Sequence, residues 1–341
     1  MNWSGVDRWW KSILNVRTLY LLFLGQLVSF SLALCSFTSS LLANLGVDAP
    51  ITQSTFSYFS LAVVYGSVLL YRGQKLRVPW YWYLLLGFVD VQANYLVNKA
   101  YQYSSITSVT LLDCFTIPWV IILTWLVLGT RYSLCQMFGA AICLLGLGLV
   151  LLSDAGVGGG GGSKPLLGDV LVVAGTVFYA FSNVGEEYCV KKKDRAEVVA
   201  MLGAFGCLVS VVELSIVELK SLESVSWSLD IILALSGYTL ATFALYSLAP
   251  FVLKLSGATM FNLSILTSDM WAVVIRIFFY RQKVDWLYFL AFAIVVVGLI
   301  IYSTTGKDAD YAAVSTDESS AAQYQMIADG NTTRLDESSA S

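Results

Sequence analysis

The sequence predicts an all-α membrane protein, ten transmembrane helices built as two inverted five-helix repeats. Three observations predict it. The 341-residue chain is 57% hydrophobic and 13% charged, where a soluble protein carries about 25% charged residues. Apolar runs of about 20 residues, long enough to cross a bilayer, recur along it. Shifting the first half by 150 residues superposes Gly25 on Gly175, Arg131 on Arg281, Gly148 on Gly298 and Ser153 on Ser303, the last pair closing "LLGLGLVLLS" and "IVVVGLIIYS". Four matches at one offset suggest a duplication. An odd number of spans per copy forces the second copy to insert upside down, an arrangement common among secondary transporters.

The ten spans are expected at 19–44, 52–71, 81–104, 107–129, 133–153, 166–189, 197–219, 230–249, 256–279 and 285–303. Charged loops separate them. Arg8, Lys11 and Arg17 precede the first span. Arg72, Lys75 and Arg77 follow the second, Arg131 the fourth, Lys191, Lys192, Lys193 and Arg195 the sixth, and Lys254 the eighth. The alternate loops hold only Lys164, Lys220, Arg281 and Lys283. Lysine and arginine favour the cytosolic side, so both termini are expected there, and Arg281 reads as a relic of the duplicated unit. No cleavable signal peptide is expected, because the apolar run after Tyr20 is too long for one. The chain then divides into a first repeat with a short N-terminus (1–153), a Gly-rich linker (154–165), a second repeat (166–303) and an acidic tail (304–341).

That tail is polar, with seven acids against Lys307 and Arg334, and is expected to be disordered and cytosolic. Its Tyr324-Gln-Met-Ile327 segment has the form read by sorting adaptors. The composition also excludes much. With no histidine in the chain, zinc sites, Ser-His-Asp triads and histidine relays lose their support, and no cofactor or metal is expected. The six cysteines lie in or beside apolar segments and read as small packing residues. A large soluble domain and nucleic-acid binding are excluded too. An intramembrane enzyme needs a nucleophile–base pair or metal cluster in the helices, and none is seen in the sequence.

The informative residues are the polar ones inside apolar spans. The third span carries Asp90, Asn94, Asn98, Lys99 and Tyr101. A charge at the centre of a membrane helix costs about 2.5–3.5 kcal/mol, so Asp90 and Lys99 together would cost roughly 5–7 kcal/mol against lipid. At about 100° per residue, Asp90, Asn94, Asn98 and Tyr101 share one face, which reads as a cavity lining rather than helix–helix glue. Lys99 points away from that face and is expected to pair with Asp113 across the hairpin, as an ion pair or gate. Pro118 is expected to kink the fourth span. The ninth span, its counterpart in the repeat, carries Asn262, Ser264, Thr267, Ser268 and Asp269, and polar segments at corresponding positions point to a central site. Tyr95, Tyr101 and Tyr103 are placed to stack on a flat ring. Glu186 and Glu187 read equally well as an exposed helix end.

"DVQANYLVNKAYQYSSITSVTLLDC", "IPWVIILTW" and "SNVGEEYCVKK" resemble solute carrier family 35, subfamily F, and its plant members in particular, within the drug/metabolite transporter superfamily. The resemblance covers about Val16 to Ser303. It implies ten helices in two inverted repeats, a central cavity and alternating access, with nucleobase- or nucleoside-like cargo for some members and nucleotide sugars or phosphate esters for other relatives. The lysine-rich pattern of a sugar-nucleotide pocket does not extend beyond Lys99.

The expected function is secondary transport of a small polar organic solute, bound by Asp90, Asn94, Asn98 and Tyr101 from one half and Asn262, Ser264 and Asp269 from the other. If protons are coupled, a carboxylate carries them, Asp90 first and Asp269 second. The alternatives are a nucleotide-sugar or phosphate-ester antiporter, or a membrane receptor or scaffold without transport. The expected membrane is an endomembrane (Golgi or vacuole) or the plasma membrane.

Overall fold

Apolar sequence alone would let each helix form anywhere in a bilayer; which faces meet is decided by small residues and buried polar groups. The computed structural model describes residues 16–47, 49–73, 79–100, 103, 112–113, 115–158, 165–192, 194–223, 225–268, 270–271, 274–275 and 289–304. Among these residues every regular element is a helix. In chain order they are α1 (Val16–Asn44), α2 (Pro50–Arg72), α3 (Trp80–Ala100), α4 (Thr116–Leu128), α5 (Leu134–Gly158), α6 (Pro165–Lys192), α7 (Arg195–Val217), the short α8 (Leu219–Glu223), α9 (Leu229–Ile265) and α10 (Phe289–Thr304).

Within α1, α2, α6, α7 and α9 lie stretches long and apolar enough to cross a membrane, while α4 and α10 are shorter apolar helices. Large apolar side chains such as Phe23, Phe59, Trp125, Phe138, Val212 and Leu240 stand exposed on the outside. That is how helices look when their solvent is lipid.

Helix α1 lies along α9, α2 along α7, and α3 between α6 and α7, with α4 also against α6. The central core joins Leu24 and Val28 of α1, Tyr83 of α3, Val120 of α4, Val184 of α6, Val198 of α7, and Leu253 and Phe261 of α9. A second core joins Ile117, Cys143, Leu263, Val295 and Leu299. Close approach needs small residues. A Cβ on Gly206 of α7 would stand 2.7 Å from the Tyr58 ring of α2, so only glycine lets that ring pack so close to the α7 backbone.

Three expectations about single helices change. Spans expected at 230–249 and 256–279 appear as the 37-residue α9, which carries Pro250 and breaks at Gly257, where φ is 84° and ψ 173°. At 1.5 Å per residue its length of roughly 55 Å exceeds one bilayer crossing, and the break divides it into a long segment before Gly257 and a short one after it. Pro118 does not kink the interior of a helix. It falls in the first turn of α4, which starts at Thr116, and there the missing N–H has no intrahelical acceptor to lose. Helix α5 runs on to Gly158, into the Gly-rich stretch that was expected to begin at 154.

Two helix starts are closed by carboxylates from distant segments. Ala49, the residue before α2, makes no side-chain cap. Glu218, just past the end of α7, accepts instead from Ile51 N at 2.7 Å, Thr52 N at 2.9 Å and Thr52 Oγ1 at 2.9 Å. After the break in α9, Ala258 N donates to Glu187 Oε2 of α6 at 2.7 Å, and Lys191 Nζ reaches Glu187 Oε1 at 2.5 Å. Free N–H groups and the helix dipole make such starts natural seats for anions. Gly257 is needed twice here, for its positive φ and because a Cβ would come 2.8 Å from Glu187 Oε1.

Candidate functional site

Asp90 sits halfway along α3, 4% exposed. Its carboxylate is held by hydroxyls from three other helices. Tyr58 of α2 donates to Oδ2 at 2.5 Å, Tyr246 of α9 donates to the same oxygen at 2.6 Å, and Ser182 of α6 donates to Oδ1 at 2.7 Å. These are the lengths of hydroxyl bonds to an ionised carboxylate. The ion pairs among the described residues are Arg72–Asp194 and Lys191–Glu187, so no lysine or arginine there pairs with Asp90.

Asn94, one turn along α3, completes the cage. Its Nδ2 donates to the Tyr58 and Tyr246 hydroxyls at 3.1 and 3.2 Å and to the Asp90 carbonyl at 2.9 Å, while its Oδ1 accepts from Tyr179 of α6 at 3.0 Å. The Tyr58 and Tyr246 rings lie 5.9 Å apart. Four helices thus meet on one acid through phenols, an amide and a serine, groups that also suit a polar heterocycle.

The other sequence-predicted residues fall in different places. Asn98, the next turn of the stripe, is half-buried and outside this hydrogen-bonded cluster. Tyr101 and Asp269 lie outside the described residues. Asn262 is 6% exposed and reaches α6, accepting from Asn183 Nδ2 at 3.0 Å while donating to the Ala258 carbonyl at 2.8 Å. Asn262 therefore ties α9 to α6 at Asn183, next to Ser182 in sequence, with no bond to the cage itself among the described residues. Ser264 faces α1 instead. Its hydroxyl donates to the Met260 carbonyl at 2.8 Å, and its Oγ lies 2.6 Å from where a Cβ on Gly25 would stand.

Around it Gln26, Ser29, Thr267 and Trp271 form a second, neutral cluster. Gln26 Nε2 donates to Thr267 Oγ1 at 3.1 Å, Trp271 Nε1 donates to Gln26 Oε1 at 3.1 Å, Thr267 donates to Ser29 Oγ at 2.8 Å, and Ser29 donates to the Ser264 carbonyl.

The expected ion pair between Lys99 and Asp113 is not formed. Lys99 stands in the last turn of α3, where free carbonyls already favour a cation. Asp113 keeps a buried Oδ1 without a hydrogen-bond partner.

Sequence reasoning missed Tyr58, Tyr179, Ser182 and Tyr246, because single phenols and serines in apolar helices resemble packing residues. One signal was present. Tyr179, Ser182 and Glu186 are spaced three and four apart, which puts them on one face of α6. Glu186 and Glu187 are 4% and 2% exposed, so neither ends a helix in solvent.

The comparisons agree on a family. The family model described as solute carrier family 35 (subfamily F) matches residues 14–304. Solute carrier family 35 member F2 of Mus musculus is 40% identical over 291 residues, covering 83% of this chain and 78% of that protein. The protein of the same name from Xenopus tropicalis is 36% identical over 308 residues, covering 86% and 79%. A solved crystal structure with 18% identity superposes with a TM-score of 0.68 over 86% of this chain and 98% of its own, a likeness of fold.

Proposed function

The chain belongs to solute carrier family 35, subfamily F, in the drug/metabolite transporter superfamily, and on that premise we propose that this transporter moves a small polar organic solute, nucleobase- or nucleoside-like, by alternating access. The observation that carries the reading is the cage on Asp90. A carboxylate buried in a membrane helix is a functional group by default. This one is held by donors from α2, α6 and α9 rather than by a cation. A neutral or singly charged heterocycle with N–H and carbonyl groups can take over those bonds one for one as it enters. A doubly charged nucleotide sugar would meet an anion with no counter-charge, so the phosphate-ester reading is the weaker one.

The inverted repeat is supported by reciprocal packing. Helix α1, from the first half, lies against α9 of the second, while α6, from the second half, lies against α3 and α4 of the first; α2 and α7 lie against each other. Exchange of partners between the halves is what an inverted pair of five-helix units produces. The capped starts of α2 and of the segment after Gly257 are suited to open in turn, one near Pro50 and the other near Lys191. In this reading the Lys191 end and both termini face the cytosol, in an endomembrane or the plasma membrane.

The test is uptake from a mixed metabolite pool by vesicles holding the purified protein. Accumulation of one solute class above empty vesicles, lost in Asp90→Asn, is the expected result. Tight binding of a solute without any uptake would overturn transport in favour of a receptor.

A further inference from the structure

The cage leaves one acid out. Glu186 lies on α6 one turn beyond Ser182, the residue that bonds Asp90, and it is 4% exposed. Its Oε1 is buried with no hydrogen-bond partner. The nearby hydroxyl protons are already committed, since Tyr58, Tyr246 and Ser182 all donate to Asp90. The nearest lysine on its own helix, Lys191, is committed to Glu187. Asp90 and Glu186 are close enough for their charges to act on each other.

We propose that Glu186 is the proton-binding carboxylate of the transport site, loaded on one side of the membrane and unloaded on the other. This deepens the transport reading and rests on it. Two adjacent buried acids without a cation hold one negative charge far more easily than two. Asp90 is the one built to stay charged, with a donor on each oxygen. Glu186 has a bare oxygen and no donor among the described residues, so it is the one built to change.

The surroundings fit an exchange route. Asp90 of α3 acts on it, Tyr83 of α3 is bonded to Glu197 of α7, and Cys189, Glu187 and Lys191 lie on its own helix; α4 brings no charged group. Cys189 feels the charges of both Glu186 and Glu197, and Glu197 accepts the Tyr83 hydroxyl at 3.0 Å. Polar side chains therefore step from the cage toward the end of the bundle that carries Arg72 and Asp194. The step itself is simple. A proton from water on the open side forms an O–H bond on the Glu186 carboxylate, and that bond breaks to return the proton to water on the other side.

Infrared difference spectra between acid and neutral pH, taken on the full chain in lipid nanodiscs without cargo, test this directly. The wild type should show a protonated-carboxyl band that grows as pH falls. Glu186→Gln should lose that band, and Asp90→Asn should keep it. A band that survives Glu186→Gln, or disappears only in Asp90→Asn, overturns the proposal, as does a wild type with no such band at any pH. Should Glu186→Gln fail to fold, Glu186→Asp retains the acid with one methylene fewer; a shifted band supports the assignment and an unshifted one sinks it. The spectra need no transport, so their failure and a failure of vesicle uptake are read separately.

Discussion

The cluster on Asp90 and the cluster on Thr267 both bury hydroxyls and amides between helices, yet they respond differently to loss of a member. In the Thr267 cluster each hydroxyl has a second acceptor close by. Ser29 also reaches the Gly25 carbonyl at 2.9 Å and Thr267 the Ser264 carbonyl at 2.8 Å. Remove one partner, and the other falls back on its own helix. The phenols on Asp90 have no such retreat, because a tyrosine hydroxyl stands too far from its own backbone. They converge on one charge from separate helices, so the cage depends on that charge. Neutral stitching has fallback partners on its own helices, whereas the cage depends on the one charge at its centre.

Three substitutions sharpen or break this contrast. The largest effect is expected from Asp90→Ala, which strands the two buried phenols at about 1–3 kcal/mol each. Thermal unfolding in detergent should fall steeply and vesicle uptake should vanish; an unchanged melting temperature would show that the cage holds nothing together. Tyr58→Phe is intermediate. It removes one charge-assisted bond worth about 1.5–3 kcal/mol and keeps the ring against Gly206. Stability and apparent solute affinity should drop together, and a drop in stability alone would remove Tyr58 from the site. The smallest effect belongs to Thr267→Val, expected to cost below about 1.5 kcal/mol with uptake intact. If it harms uptake more than Tyr58→Phe does, the two clusters have been assigned the wrong way round.

The same contrast explains how much was legible in advance. Hydropathy and loop charge announce membrane helices because the cost of a misplaced charge is large and local. The α3 stripe was visible for that reason, and Asp90 with Asn94 proves to be the centre of the cage. Its partners were hidden because Tyr58, Tyr179 and Tyr246 carry no such local penalty, and their role exists only where four helices meet. Ser264 failed in the opposite direction. It looks polar enough for a site, but its hydroxyl is spent on the Met260 carbonyl of its own helix and packs against Gly25 of α1. Lys99 and Asp113 matched in depth, and depth alone does not make two side chains meet. The paired glutamates stayed ambiguous because a lysine run beside them suggests solvent, while Gly257 and the helix start behind it bury Glu187.

Glu218 also dictates an order of assembly. It caps Ile51 and Thr52, which leave the ribosome 167 and 166 residues earlier. Until the end of α7 is made, the first turn of α2 waits in the bilayer with free N–H groups. Glu187, in contrast, is already in place when Ala258 arrives 71 residues later. One end of the bundle can close as it is synthesised, and the other must be held open until the second half has entered the membrane. Expressed alone, residues 1–153 lack the carboxylate that caps the first turn of α2.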